Sequence, residues 1–216
     1  MVCLGRGAII SFKSEFNIEE RPSLLYIKMN VEEVVSALRE LIVATQKEKH
    51  EPTPSEYLAA IMNSLLQSRG QQEGHMDHLM VVLKGVLPMA SRELVRASFR
   101  QLAPLLTTAL VTYHGSSRIV RRIVGTLGQL LSLQETGEGF WLSESALLSL
   151  NTILSLLDDD NESLRKSVGE ALGGLMAVHK AADADGVRSY LCDFLTQVFK
   201  TCTRSEYKRS LYAAQF

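Results

Sequence analysis

From Asn30 onward the apolar residues recur every three or four positions, the spacing that places them on one face of an α-helix. Val31, Val34, Val35, Leu38, Leu41 and Ile42 form the first such stripe, and Asn30 with Glu33 three residues later supplies an N-cap and its reciprocal acid. This predicts a helix to about Lys49. Thr53-Pro54-Ser55-Glu56 then marks a second helix start: a capping threonine, a proline where its missing N–H costs nothing, and a glutamate at the third helical position. Tyr57, Leu58, Ile61, Met62, Leu65 and Leu66 line its apolar face.

The same period predicts helices over about 75–87, 91–113 with a kink at Pro104, 117–133, 142–157, 162–179, 187–201 and 205–216. The joins Gly70–Gly74, Pro88–Ala90, His114–Ser116, Gln134–Gly139 and Asp158–Asn161 read as turns, short enough to make neighbouring helices antiparallel. Residues 1–28 carry no sustained period and are interrupted by Arg21-Pro22-Ser23, so they read as an irregular leader. The final segment reads as a helix cut short at Phe216.

An internal repeat narrows the architecture. Shifted back by 45 residues, Leu164 falls on Ile119, Lys166 on Arg121, Val168 on Ile123, Leu172 on Leu127, Gly173 on Gly128 and Leu175 on Leu130. A period of about 40–47 residues with two helices per repeat belongs to the HEAT and armadillo class, and residues 29–216 would hold about four repeats, the last incomplete. Asp159, Asn161, Glu162, Leu164, Arg165, Val168, Leu172 and Gly173 fit the HEAT inner-helix pattern. Gly128 and Gly173 are expected to let adjacent helices approach closely. The wide apolar face of Leu147, Leu148, Leu150, Ile153, Leu154, Leu156 and Leu157 reads as a helix buried on several sides. The expected fold is an all-α solenoid of antiparallel helix pairs; a four-helix bundle has too few helices and no internal period.

Composition agrees. Thirty-three leucines against 6% aromatics and five prolines favour helix over sheet. A formal net charge of −1 provides no global field for a polyanion or an anionic membrane, so any such role falls to a local patch. Three scattered cysteines, Cys3, Cys192 and Cys202, form no disulfide framework and fit a reducing compartment. Neither a transmembrane stretch nor a secretion signal is read.

Catalytic chemistry is sparse. His75 and His78 at i, i+3 have a spacing compatible with a metal, but without cysteines or further carboxylates nearby they read as solvated helix-start residues. Asp158, Asp159 and Asp160 end one helix and cap the next, where negative charge meets the positive end of the helix dipole. The glycines at 125, 128, 137 and 139 lack the strand and lysine of a phosphate-binding loop. A helical enzyme using His75, His78 or a cysteine is the rival from another class. No catalytic residue, cofactor, metal or small-molecule substrate is assigned.

The notable polar feature is basic. Arg92, Arg96 and Arg100 are spaced by four, a ridge drifting only about 40° per step. Arg118, Arg121 and Arg122 follow on the next helix, and Arg165 and Lys166 one repeat later. Such a ladder suits phosphates or an acidic peptide. An ordinary solvated face paired with Glu93, Glu162 or Glu170 is the favoured reading of the same residues, and the absence of interleaved aromatics argues against base stacking.

The order of these segments, with Thr53-Pro54-Ser55-Glu56-Tyr57-Leu58-Ala59-Ala60-Ile61-Met62 as its most telling stretch, resembles the N-terminal region of the ribosomal RNA processing protein twelve family over about residues 30–205. The resemblance implies a nuclear and nucleolar HEAT-repeat scaffold that assists pre-ribosome assembly, rRNA maturation and subunit export through pre-ribosomal proteins and pre-rRNA, without enzymatic activity or a membrane. Members of the family are several times longer. A general HEAT adaptor, for instance in nuclear transport, is the alternative within binding modules.

Overall fold

A computed structural model describes residues 22–46, 50–67, 73–134 and 138–183, and among these residues there are helices and turns but no strand. In chain order the helices are α1 (Pro22–Thr45), α2 (Pro54–Gln67), α3 (Glu73–Val86), α4 (Arg92–Thr112), α5 (Ser117–Ser132), the single turn α6 (Glu138–Trp141), α7 (Glu144–Ser155) with a 3₁₀ extension at Leu156–Asp158, and α8 (Glu162–Asp183). The helices expected at 187–201 and 205–216 lie outside the described residues. The single repeat segment expected over 29–216 divides into two compact units, Met1–Ser91 and Arg92–Phe216. Such a division is natural for repeats whose contacts run mainly to immediate neighbours.

In the first unit α1, α2 and α3 pack pairwise against one another. Val31, Val34, Leu38 and Ile42 are buried on α1, Leu58, Ile61 and Leu65 on α2, and Leu79, Val82, Leu83 and Val86 on α3. Leu41 and Leu66, placed by periodicity on those apolar faces, are exposed. The expected leader is corrected at its end: residues 22–28 are helical and Asn30 lies inside α1, not at its cap. Pro22 is the reason. Its fixed φ and missing N–H suit the first helical position, so a helix begins at Pro22 where the sequence pattern reads as an interruption. Residues 1–21 lie outside the described residues.

The start of α2 is as its sequence predicts. The Thr53 backbone N–H donates to Glu56 Oε2 at 2.8 Å, Thr53 Oγ1 lies 2.9 Å from the same oxygen, and the Glu56 N–H donates back to Thr53 Oγ1 at 3.3 Å. Gln46 Nε2, just beyond α1, donates to Glu56 Oε1 at 2.9 Å, so one carboxylate caps α2 and ties it to the end of α1. These bonds, the Thr53 amide foremost, hold the Glu56 carboxyl below the usual range.

In the second unit α4 packs on α5 and on α7, and α5 makes with α8 the most extensive helix contact in the described residues. Two layers result, α4 with α7 and α5 with α8, each repeat crossing from one layer to the other through a short turn. Tyr113–Ser116 joins α4 to α5, closed by the Ser116 N–H donating to the Tyr113 carbonyl at 2.8 Å. The helices matched by the 45-residue shift are thus direct packing neighbours. Ile119 and Leu164, Ile123 and Val168, Leu127 and Leu172, and Leu130 and Leu175 are all buried, so the repeat in sequence is a repeat in burial.

The helix expected through Pro104 runs from Arg92 to Thr112, and Pro104 is exposed, where water can take over the backbone acceptor that a proline leaves unpaired. Several other local expectations are revised. The turn expected at Gln134–Gly139 gives way to α6 from Glu138, and the next helix starts at Glu144, with Ser143 as its cap accepting from the Ala146 N–H at 3.4 Å. α6 is fixed by aromatic packing: Phe140 lies edge-on to Phe99 of α4 at 5.0 Å and to Trp141 at 4.9 Å, and Trp141 is buried. The leucine-rich face of α7 is buried on one side only, through Leu150, Ile153 and Leu157, while Leu148 is 49% exposed. Of the paired glycines, Gly128 is a close approach: a Cβ there would stand 2.7 Å from Ala171 Cβ and 3.3 Å from its Cα. Gly173, expected to do the same, has none of the described residues within 4 Å of that point. Two residues and about 200° from Ala171 on α8, Gly173 points away from α5.

Candidate interaction surface

The eight cations singled out in the sequence fall into three settings. Arg92, Arg96 and Arg100 are all exposed along the N-terminal half of α4. The same four-residue step continues through Pro104 and Thr108, both exposed, and Val111 stands beside them at 69% exposure. With 100° per residue, Arg100, Pro104 and Val111 point within about 40° of one another. Charge alone marks the ridge only as far as Arg100; the four-residue step in the sequence carries it on to Pro104 and Thr108.

Arg118, Arg121 and Arg122 occupy the first turns of α5. Arg118 is exposed and the other two half-buried, with Arg121 Nε donating to the Ser117 carbonyl at 3.2 Å. Because α4 and α5 are antiparallel, these arginines sit near the connecting turn, whereas Arg100 is about 18 Å along α4 from that turn and Arg92 about 30 Å. The structure therefore separates the two arginine groups by layer and by end.

Arg165 and Lys166 differ although adjacent. Arg165 Nη1 donates to the carbonyls of Asp159 at 2.8 Å and Asp160 at 2.9 Å, clamping the loop before its own helix. Lys166 is exposed, with Glu162 and Glu170 one turn to either side on the same exposed stripe. The acidic loop is itself structural: the Asn161 N–H donates to Asp159 Oδ1 at 2.8 Å, and Asn161 Oδ1 caps α8 by accepting from the Leu164 N–H at 3.1 Å. The capping assigned to the aspartates falls to Asn161.

The histidine pair is also corrected. His75 is half-buried, His78 is buried, and Asp77 between them is fully buried. In α3 every residue from Met76 to Met80 is buried, which leaves this part of the helix no solvated face. Burial pushes the His75 imidazole pKa down, because the charged form loses water. Among the described residues no group of three His, Cys, Asp or Glu side chains is placed to hold a metal ion. Cys3, Cys192 and Cys202 lie outside the described residues. No described helix is long and apolar enough to cross a membrane.

The basic residues thus lie on surfaces: an exposed helix with arginines at one end and Pro104 and Val111 at the other, beside a layer in which α5 starts with three arginines and charges alternate along α8. A family model described as RRP12-like, N-terminal HEAT repeats matches residues 31–210, most of the chain. No curated protein and no solved structure matches it.

Proposed function

Since the chain belongs to the RRP12-like N-terminal HEAT-repeat family, whose repeats form helical scaffolds, we propose that it acts without catalysis in pre-ribosome assembly, rRNA processing and ribosomal subunit export, in the nucleus and nucleolus. The observation carrying this reading is the family match over a region built as stacked helix pairs, in which α5 and α8 repeat one burial template. Stacked pairs give extended faces with many weak contact points, the physical requirement for holding large partners. The cations Arg92, Arg96, Arg100, Arg118, Arg121, Arg122, Arg165 and Lys166 are the proposed points of contact with anionic groups of pre-ribosomal proteins and pre-rRNA; Arg165, already clamping its loop, contributes the least.

The test is sedimentation. Tagged chain expressed in cells should travel with pre-ribosomal particles on a sucrose gradient and carry pre-rRNA when recovered. A chain that stays at the top of the gradient while co-purifying with transport factors would replace this reading with that of a general HEAT adaptor.

A further inference from the structure

We propose that the exposed side of α4 is a docking surface for an acidic amphipathic helix of a protein partner, with carboxylates meeting Arg96 and Arg100, flanked by Arg92, and apolar side chains meeting Pro104 and Val111, these four central residues lying within about 80° on the helix. This rests on the scaffold reading above and names the class of partner for one of its surfaces.

Charge distribution comes first. α4 carries three arginines and one acidic residue, Glu93, so it is a local excess of positive charge in a chain whose formal net charge is −1. In the neighbouring layer Glu162, Lys166 and Glu170 alternate along α8 and Arg165 donates to backbone carbonyls; α5 also carries three arginines and no acid, but Arg121 and Arg122 are half-buried and only Arg118 is exposed. An anionic group approaching the second unit from the α4 side meets guanidinium forks that match a carboxylate with two parallel hydrogen bonds.

The change of character along the helix then selects the kind of anion. The three arginines span only about 12 Å of axis; beyond them the same side presents proline and valine for a similar distance. A nucleic-acid strand carries a phosphate at every nucleotide and would leave the cations after a few residues to lie on apolar surface. Nor does α4 expose an aromatic platform for its bases: Phe99, beside Arg100, is 2% exposed. A helix with acids at i, i+4 and i+8 followed by apolar residues repeats both the period and the change of character of α4. Pro104 adds a hydrogen-bond acceptor at the junction, since without its N–H the Arg100 carbonyl has no partner four residues on.

The probes are a 22-residue helical peptide with three glutamates at four-residue spacing and two leucines two turns beyond, the same peptide with lysines for the glutamates, and a 20-nucleotide oligouridine. Binding to the full chain is followed by fluorescence anisotropy. The acidic peptide should bind, weaken with salt, and lose about 10- to 100-fold in affinity against the triple variant Arg92→Glu, Arg96→Glu, Arg100→Glu, because three exposed ion pairs become repulsions. The lysine peptide should show the reverse preference, and this exchange excludes misfolding as the cause. Val111→Asp should weaken the acidic peptide severalfold and leave its salt dependence in place. Absence of acidic-peptide binding, an unchanged affinity in the triple variant or in Val111→Asp, or tighter binding of oligouridine through the same arginines would each overturn the proposal. Sedimentation of the triple variant separates the two readings: retained association with pre-ribosomal particles leaves the scaffold role standing even where the α4 proposal fails.

Discussion

Gly128 and Gly173 occupy equivalent places in the 45-residue repeat, yet the structure predicts opposite signs for replacing them with alanine. At Gly128 the new Cβ would lie 2.7 Å from Ala171 Cβ, where carbon atoms prefer about 3.5–4.0 Å. Ala171 has no rotamer to change, and its Cα is also close at 3.3 Å, so α5 and α8 must separate along their whole contact. Forcing an extra methyl into such packing costs about 1–3 kcal/mol. The better helix propensity of alanine returns about 1 kcal/mol. Gly128→Ala should therefore destabilise by up to about 2 kcal/mol, the difference of these two terms. At Gly173 no described residue opposes the new methyl, and the propensity gain predicts that Gly173→Ala stabilises by up to about 1 kcal/mol. The combination Gly128→Ala with Ala171→Gly moves one methyl across the interface. Its propensity changes cancel, so it should recover most of the loss, an interaction of about 1–3 kcal/mol between the two sites. The assay is urea unfolding followed by tryptophan emission, since the chain's one tryptophan, Trp141, is buried in the second unit and reports on it directly. With a slope of about 2 kcal/mol per molar urea, a 2 kcal/mol change moves the midpoint by about 1 M. A Gly128→Ala midpoint that rises as the Gly173→Ala midpoint does would refute the close approach of α5 and α8.

Thr53→Ala and Glu56→Ala each break the reciprocal cap of α2 and should cost about 1 kcal/mol, with the double change costing less than the sum, measured by circular dichroism during urea unfolding. Because the folded Glu56 pKa is depressed, its contribution is complete above the ordinary glutamate range and lost as pH falls through the folded value; the stability gap between the native chain and Glu56→Gln should therefore narrow on acidification from pH 7 to about 3. Arg165→Ala removes the donor to two loop carbonyls and should lower stability by about 1–2 kcal/mol, whereas Lys166→Ala next to it should change stability by less than about 0.5 kcal/mol in the same titration. Phe99→Ala, which deletes the α4 half of an edge-to-face aromatic pair, should cost about 3–5 kcal/mol and change the Trp141 emission of the native state.

Much of the fold is fixed by local chemistry and was therefore legible in the sequence. A period of 3.6 places residues on a helix face whatever that face meets, which is why α2, α3, α4, α5 and α8 fall within a few residues of their expected positions, α8 running on to Asp183. Thr53, Pro54 and Glu56 cap α2 through groups three residues apart, an interaction complete before any other helix is present. The 45-residue repeat encodes α5 and α8 as equivalent helices because equivalent burial demands equivalent residues. The arginine ridge could be placed on one exposed helix face, since charged side chains four apart share a side and stay in water.

Tertiary packing decided what periodicity leaves equal. Gly128 and Gly173 share a template position, but Gly128 meets Ala171 across the α5–α8 contact, whereas Gly173, about 200° around α8 from Ala171, points away from α5 and meets none of the described residues. His75, Asp77 and His78 look like a solvated helix start, and their burial depends on what surrounds α3 rather than on their own pattern. Arg165 and Lys166 are neighbours of the same charge, yet a difference of 100° in direction turns one onto the carbonyls of Asp159 and Asp160 and the other to solvent. Sequence fixes which face a residue belongs to; the neighbouring helix, arriving at its own height and angle, determines what that face encounters.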